Sequence, residues 1–120
     1  MSGAVIKRKF YDSVEVIAAD DLVQKNDVAD YIHVAGPCEY KRGQVLMSSG
    51  DNIFTAATSA GLASAKELCI LCEDVNNKSE DNALTYGYFS GVFSQKRLIA
   101  DFDVILEGHL PLRQHGIYIR

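Results

Sequence analysis

The sequence predicts a mainly β domain, a small barrel or sandwich with one or two short helices, preceded by an extended N-terminal arm. Three observations carry this expectation. Short runs rich in β-branched and aromatic residues recur along the chain, among them Tyr31-Ile32-His33-Val34-Ala35, Leu68-Cys69-Ile70-Leu71-Cys72 and Tyr86-Gly87-Tyr88-Phe89. Clusters of Gly, Asn, Asp and Ser separate them, as tight turns separate strands. The first 29 residues differ: their apolar residues lack helical spacing and are interleaved with Asp20-Asp21 and Lys25-Asn26-Asp27.

Taken in order, residues 1–29 read as the arm, with one short strand over Ser13 to Ala18, or alternatively as an ordinary first strand of the sheet, and residues 30–120 as a β-rich core. Segments with scattered apolar residues of this kind often order on a partner. Tyr31 to Ala35 is a strand bounded by Gly36-Pro37. Lys41-Arg42-Gly43 is a turn, and Gln44 to Met47 and Ile53 to Thr55 form a hairpin across the turn-rich Ser48-Ser49-Gly50-Asp51-Asn52. Ala56 to Lys66, small and polar with Gly61 inside it, is mostly loop. Glu67 to Glu73 is an unbroken apolar run between charges, the pattern of a strand buried on both faces. Asp74 to Asn82 is a polar connection. Ala83 to Phe93 is a long strand in which Gly87 and Gly91 mark a bulge, a bend or a close backbone approach. Ser94 is placed to cap a short helix through Leu98. Asp101 to Leu106 fits helix or strand equally. Pro111 and Gly116 bracket a short helix, and Ile117-Tyr118-Ile119 closes as a strand.

A chain of 120 residues suits one domain and buries roughly two-thirds of its unfolded surface, enough for one core. The net charge of −4 argues against a primary nucleic-acid binder, which needs a basic stripe; Lys7-Arg8-Lys9 is a single short cluster. No run approaches the roughly 20 apolar residues of a membrane helix, and no signal-peptide pattern follows the basic cluster, so synthesis in a cytosol and no membrane partner are expected.

Cys69-Ile70-Leu71-Cys72 is the one motif with the spacing of a redox pair or half a zinc site. Its spacer is strand-like, and residues three apart on a strand face opposite ways, so the two sulfurs are not expected to meet. Cys38, His33, His109 and His115 add no paired ligand spacing. His33 reads as a surface strand residue and His115 as a residue suited to a helix C-terminus. The acidic pairs Asp20-Asp21, Glu73-Asp74 and Asp101-x-Asp103 lack calcium-loop spacing and read as solvated turn residues. No glycine pattern forms a nucleotide loop. No catalytic residue, cofactor or metal is expected. A small thiol or metal enzyme centred on Cys69 and Cys72 is the alternative from another class, and a monomeric ligand-binding barrel is a third.

Four segments resemble a known family. Lys41-Arg42-Gly43-x-Val45-Leu46, Ile70-Leu71-x-Glu73-Asp74-Val75, Gly91-x-Phe93 and Leu112-Arg113-x-x-Gly116-Ile117-Tyr118 follow, in order and spacing, the motifs of the lambda-like head decoration proteins of tailed bacteriophages. The resemblance covers about Tyr31 to Arg120. Two features depart from it: Cys72 stands where alanine is more usual, and Ile99 to Leu110 is richer in large apolar residues.

The resemblance implies a β-tulip-like fold and a homotrimer bound to the major capsid protein. It places that trimer on the outer surface of the expanded head at three-fold and quasi-three-fold sites, as a cement against internal DNA pressure. It also implies an arm lying against the capsid lattice. Val5, Ile6, Phe10, Tyr11, Val14 and Val16 are then the expected capsid contacts, and Tyr86, Tyr88 and Phe102 the expected contacts between copies.

Overall fold

A computed structural model describes residues 20–120 in full and, before them, the backbone of two strands, β1 (Ala4–Arg8) and β2 (Val14–Ala18). These two pair antiparallel, with Ile6 opposite Val16. The remaining strands are β3 (Val23–Val34), β4 (Cys38–Tyr40), β5 (Val45–Ser48), β6 (Ile53–Ala56), β7 (Glu67–Leu71), β8 (Val75–Asn77), β9 (Ala83–Phe93) and β10 (Ile117–Ile119). A 3-10 turn spans Gln95–Arg97, and one helix, α1, spans His109–Gln114. The protein is mainly β, as its sequence predicts.

The main sheet runs β10-β9-β3-β6-β5-β7, and β7 pairs in turn with β9. Strands β9, β3, β6, β5 and β7 therefore close into a small barrel, which leaves few exposed edges. The contacts β3–β6 and β9–β10 are parallel; the others are antiparallel. The short pair β4–β8 forms a separate two-stranded sheet.

Side-chain alternation sorts the apolar residues into two cores. Ile32, Val34, Leu46, Phe54, Cys69 and Leu71 form one cluster, with Phe89, Cys38, Tyr40 and Val75 packed against it. Phe54 and Phe89 meet edge to face at 5.9 Å between ring centroids. The second cluster joins Val45, Leu68, Ile70, Cys72, Tyr86, Tyr88 and Phe93 to Leu22, Val104, Leu112 and Ile117. The segment from Leu98 to Ile117 thus roofs the outer face of β5, β7 and β9. Strand β7 serves both cores, which explains its unbroken apolar run.

Helix α1 stops where the sequence marks it. Gly116 adopts φ +83°, a conformation that costs other residues, and its N–H reaches the Arg113 carbonyl at 3.0 Å. The ambiguous segment 101–106 is a turn: the Asp103 carboxylate accepts the N–H groups of Ile105 (2.9 Å) and Leu106 (3.0 Å). Ser94 precedes the 3-10 turn as expected, but its side chain makes no capping bond.

The boundary of the arm moves. Leu22 is fully buried, and β3 begins at Val23, where Val23 pairs with Phe93 and Ala29 with Tyr88. Residues 22–29 therefore belong to the core and not to the arm. The eleven residues of β9 provide a partner along this whole stretch. Irregularities between Val23 and Ala29 absorb its poor strand pattern, and Asn26 takes φ 59° there.

Candidate functional site

The N-terminal segment carries the expected capsid contacts. Val5 and Ile6 lie on β1, and Val14 and Val16 on β2; Phe10 and Tyr11 lie outside the described residues. What the structure defines in detail is the root from which this segment leaves the barrel, Asp20-Asp21-Leu22.

Three attachments hold the root. Arg42, in the turn before β5, donates Nε and Nη2 to the two Asp20 carboxylate oxygens at 2.8 and 3.0 Å. Arg97, in the 3-10 turn, pairs with Asp21. The Leu22 carbonyl accepts the Ser94 N–H at 2.8 Å while its side chain fills the larger core.

Arg42 is the hub. Its side chain is only 11% exposed. Nη1 donates to the Cys72 carbonyl at 2.6 Å and to the Tyr88 hydroxyl at 2.9 Å, and the guanidinium lies 5.5 Å from the Tyr88 ring centroid, within cation–π range. Its backbone N–H donates to Asp74 Oδ1 at 2.8 Å. The paired Arg42 guanidinium holds Asp20 below the usual carboxylate range, against a smaller effect of burial. Burial works against the charge on Arg42, but hydrogen bonds to Asp20 and Tyr88 outweigh it and raise its pKa. Burial also pushes the Tyr88 hydroxyl up. The neighbouring Gly43 leaves room for the 3-10 turn: a Cβ there would fall 2.3 Å from the Arg97 carbonyl oxygen.

Of the acidic pairs expected as solvated turn residues, all but Glu73 are exposed, and five of the six carboxylates accept hydrogen bonds. Besides Asp20, Asp21, Asp74 and Asp103, Glu73 accepts the Thr85 hydroxyl at 2.7 Å. Sequence reasoning misses the root because Arg42 is 22 residues from Asp20, and Arg97 is 76 from Asp21. No local spacing connects them.

The expected contacts between copies require correction. Tyr88 is fully buried and Tyr86 nearly so, both inside the larger core beneath the 98–117 segment. Neither side chain is at the surface of this chain. Phe102 is half-buried against the same core. The aromatic residue exposed nearby is Tyr31, whose ring sits 4.8 Å from that of Tyr86; Leu84, opposite exposed His33 on β3, is exposed beside it.

Cys69 and Cys72 are both buried, one in each core, so they face apart as their spacing predicts. Burial pushes both thiols up, which opposes the thiolate that redox or metal chemistry needs. Among the described residues, no group of three or more His, Cys, Asp or Glu could hold a metal ion. His33 lies on β3, His109 opens α1 and His115 caps its end.

The four segments that carry the family resemblance meet in space. The Gly43 N–H donates to the Leu71 carbonyl at 2.9 Å, and Arg42 bonds Asp74, joining the first segment to the second. Gly91 pairs with Ile117, its N–H donating to the Gly116 carbonyl at 3.1 Å, joining the third to the fourth. No family model, curated protein or solved structure matches the chain.

Proposed function

We propose that this protein is a capsid decoration protein. In this reading it assembles as a homotrimer with the major capsid protein as its partner, on the outer surface of the expanded phage head at three-fold and quasi-three-fold sites, after synthesis in the host cytoplasm. It cements the lattice against internal DNA pressure. The observation that carries the reading is the pairing of the four resemblance segments into two hydrogen-bonded junctions, Lys41–Gly43 with Leu71–Asp74 and Gly91 with Gly116–Ile117. What supports it is the likeness of the four segments in order and spacing, which fall on parts of the chain that contact one another two by two.

The physics suits the role. A trimer presents three N-terminal segments at once, so weak contacts by each gain from effective concentration. A protein that binds the expanded lattice better than the unexpanded one stabilises the expanded state by that difference in affinity. One heterologous interface repeated three times closes the ring.

Co-sedimentation with expanded, undecorated heads of the cognate phage, with unexpanded proheads as control, tests the proposal. Saturable binding to expanded heads, lost on removal of residues 1–19, is expected. Absence of binding to either form overturns it, and equal binding to both removes the stabilising role.

A further inference from the structure

We propose that Asp20 and Asp21, held by Arg42 and Arg97, form an acid-sensitive latch that fixes the N-terminal segment to the barrel and opens independently of the barrel itself. The inference rests on the geometry of the root and holds whatever partner the segment takes.

Residues 20–22 lie on the chain between the β1–β2 pair and β3. Two adjacent carboxylates take two guanidiniums from different parts of the chain, the turn before β5 and the 3-10 turn after β9. The Asp20 carboxylate also accepts the Leu22 N–H at 3.3 Å. Of the two pairs, Asp21–Arg97 is well exposed and contributes little alone. Asp20–Arg42 is different, because Arg42 is committed to the interior through Tyr88 and the Cys72 carbonyl. A partner for Asp20 is thus pre-set at the barrel wall, and holding a segment at a set exit reduces the ordering cost of whatever it binds.

The charged and titratable groups around the latch are Lys41, Arg42 and Asp74 on one side, Lys96 and Arg97 on a second, and Cys72, Glu73, Tyr88 and Asp27 behind Arg42. The Asp20 and Asp21 carboxyls both sit below the ordinary value of 3.8. Protonation removes the acceptor charge from both pairs. The latch is therefore complete above about pH 4 and opens as pH falls below it.

Amide hydrogen exchange on the intact chain tests this. The reporters are the Leu22 N–H, bonded to Asp20, and the Ser94 N–H, bonded to the Leu22 carbonyl. The barrel controls are the Val45 and Leu71 N–H groups, bonded to the Ile99 and Gln44 carbonyls. In Asp20→Asn at pH 7, Leu22 and Ser94 should exchange about tenfold faster or more, with the controls unchanged. In the wild type, after correction for intrinsic rates, a selective loss of the same kind should set in below about pH 4, grow as pH falls through the lowered folded-state values of the two carboxyls, and be much smaller in Asp20→Asn. Unchanged protection of Leu22 and Ser94 in the variant overturns the latch. So does loss of protection in step with Val45 and Leu71, because the root would then open only with the whole barrel.

Discussion

The Cys69 sulfur occupies the space that a side chain at position 87 would need. A Cβ built on Gly87 would lie 2.7 Å from Cys69 Sγ and 3.2 Å from Ile32 Cδ1. The contact sits where β7 and β9 close the barrel, with Leu71 opposite Gly87 and Ile70 opposite Tyr88. Closure at this seam thus depends on a missing side chain on one strand and a compact one on its neighbour.

Gly87→Ala should accordingly destabilise the protein by about 1–3 kcal/mol through overpacking, read as a lower urea midpoint. The same change in a Cys69→Ala background should cost less, because the sulfur is gone. A double-mutant cycle should return a coupling of about 0.5–3 kcal/mol. Strict additivity would show that the strands shift apart and that Gly87 is not matched to Cys69.

Arg42→Met tests the hub of the root. Methionine keeps much of the apolar stem but leaves the Tyr88 hydroxyl and the Cys72 carbonyl without the donor that serves both. The expected loss is about 1–3 kcal/mol, the cost of an unsatisfied buried polar group. Lys41→Met next to it removes only a well-exposed pair with Asp74, 3.9 Å apart, and should stay within about 0.5 kcal/mol of the wild type. Equal effects from the two substitutions in chemical denaturation would contradict the assignment of Arg42 as the hub.

Much of the architecture is legible in the sequence because it is locally encoded. The two-faced apolar run of β7, the turn cluster between β5 and β6, and the Pro111 and Gly116 punctuation of α1 each announce their element. Other elements depend on distant partners. Strand β4 has three residues, and its partner β8 contains Asn76 and Asn77, residues disfavoured in strands; their pairing comes from the fold. The first half of β3 is polar because it is largely exposed, so it shows no alternation to read. Tyr86 and Tyr88 look like surface aromatics in a glycine-punctuated strand until the roof over them is known, and that roof includes the segment whose conformation the sequence leaves open. The root escapes for the same reason: its ion pairs join residues far apart in sequence.

The stability of the chain should fall in acid with a recognisable contribution from Asp20. Its carboxyl is depressed by Arg42 in the folded state and has its ordinary value of 3.8 when unfolded. The unfolded chain therefore binds this proton first as pH falls. The stabilisation is present in full above about pH 4 and is lost as pH drops through the folded-state value. Asp20→Asn should be less stable than the wild type at pH 7, and the gap should narrow below pH 4. Parallel stability–pH curves for the two proteins would rule this contribution out.

The three thiols should separate cleanly by reactivity. Cys38 is half-buried on β4, whereas Cys69 and Cys72 are buried in opposite cores. Burial raises all three, Cys69 and Cys72 most strongly. A thiol-reactive disulfide reagent at pH 8 should therefore modify Cys38 first. Cys69 and Cys72 should react only through opening of the cores that bury them, at rates lower by about 10³-fold or more, since the open fraction of a stable small domain is about 10⁻³ or less. Both should become reactive together as urea passes the unfolding midpoint. Mild oxidation of the native protein should yield no Cys69–Cys72 disulfide, because the two side chains leave the strand on opposite sides. Peptide mapping by mass spectrometry reads every one of these outcomes. A facile Cys69–Cys72 bridge, or fast modification of either residue in the folded protein, would revive a thiol-centred activity and count against a purely structural role for the pair.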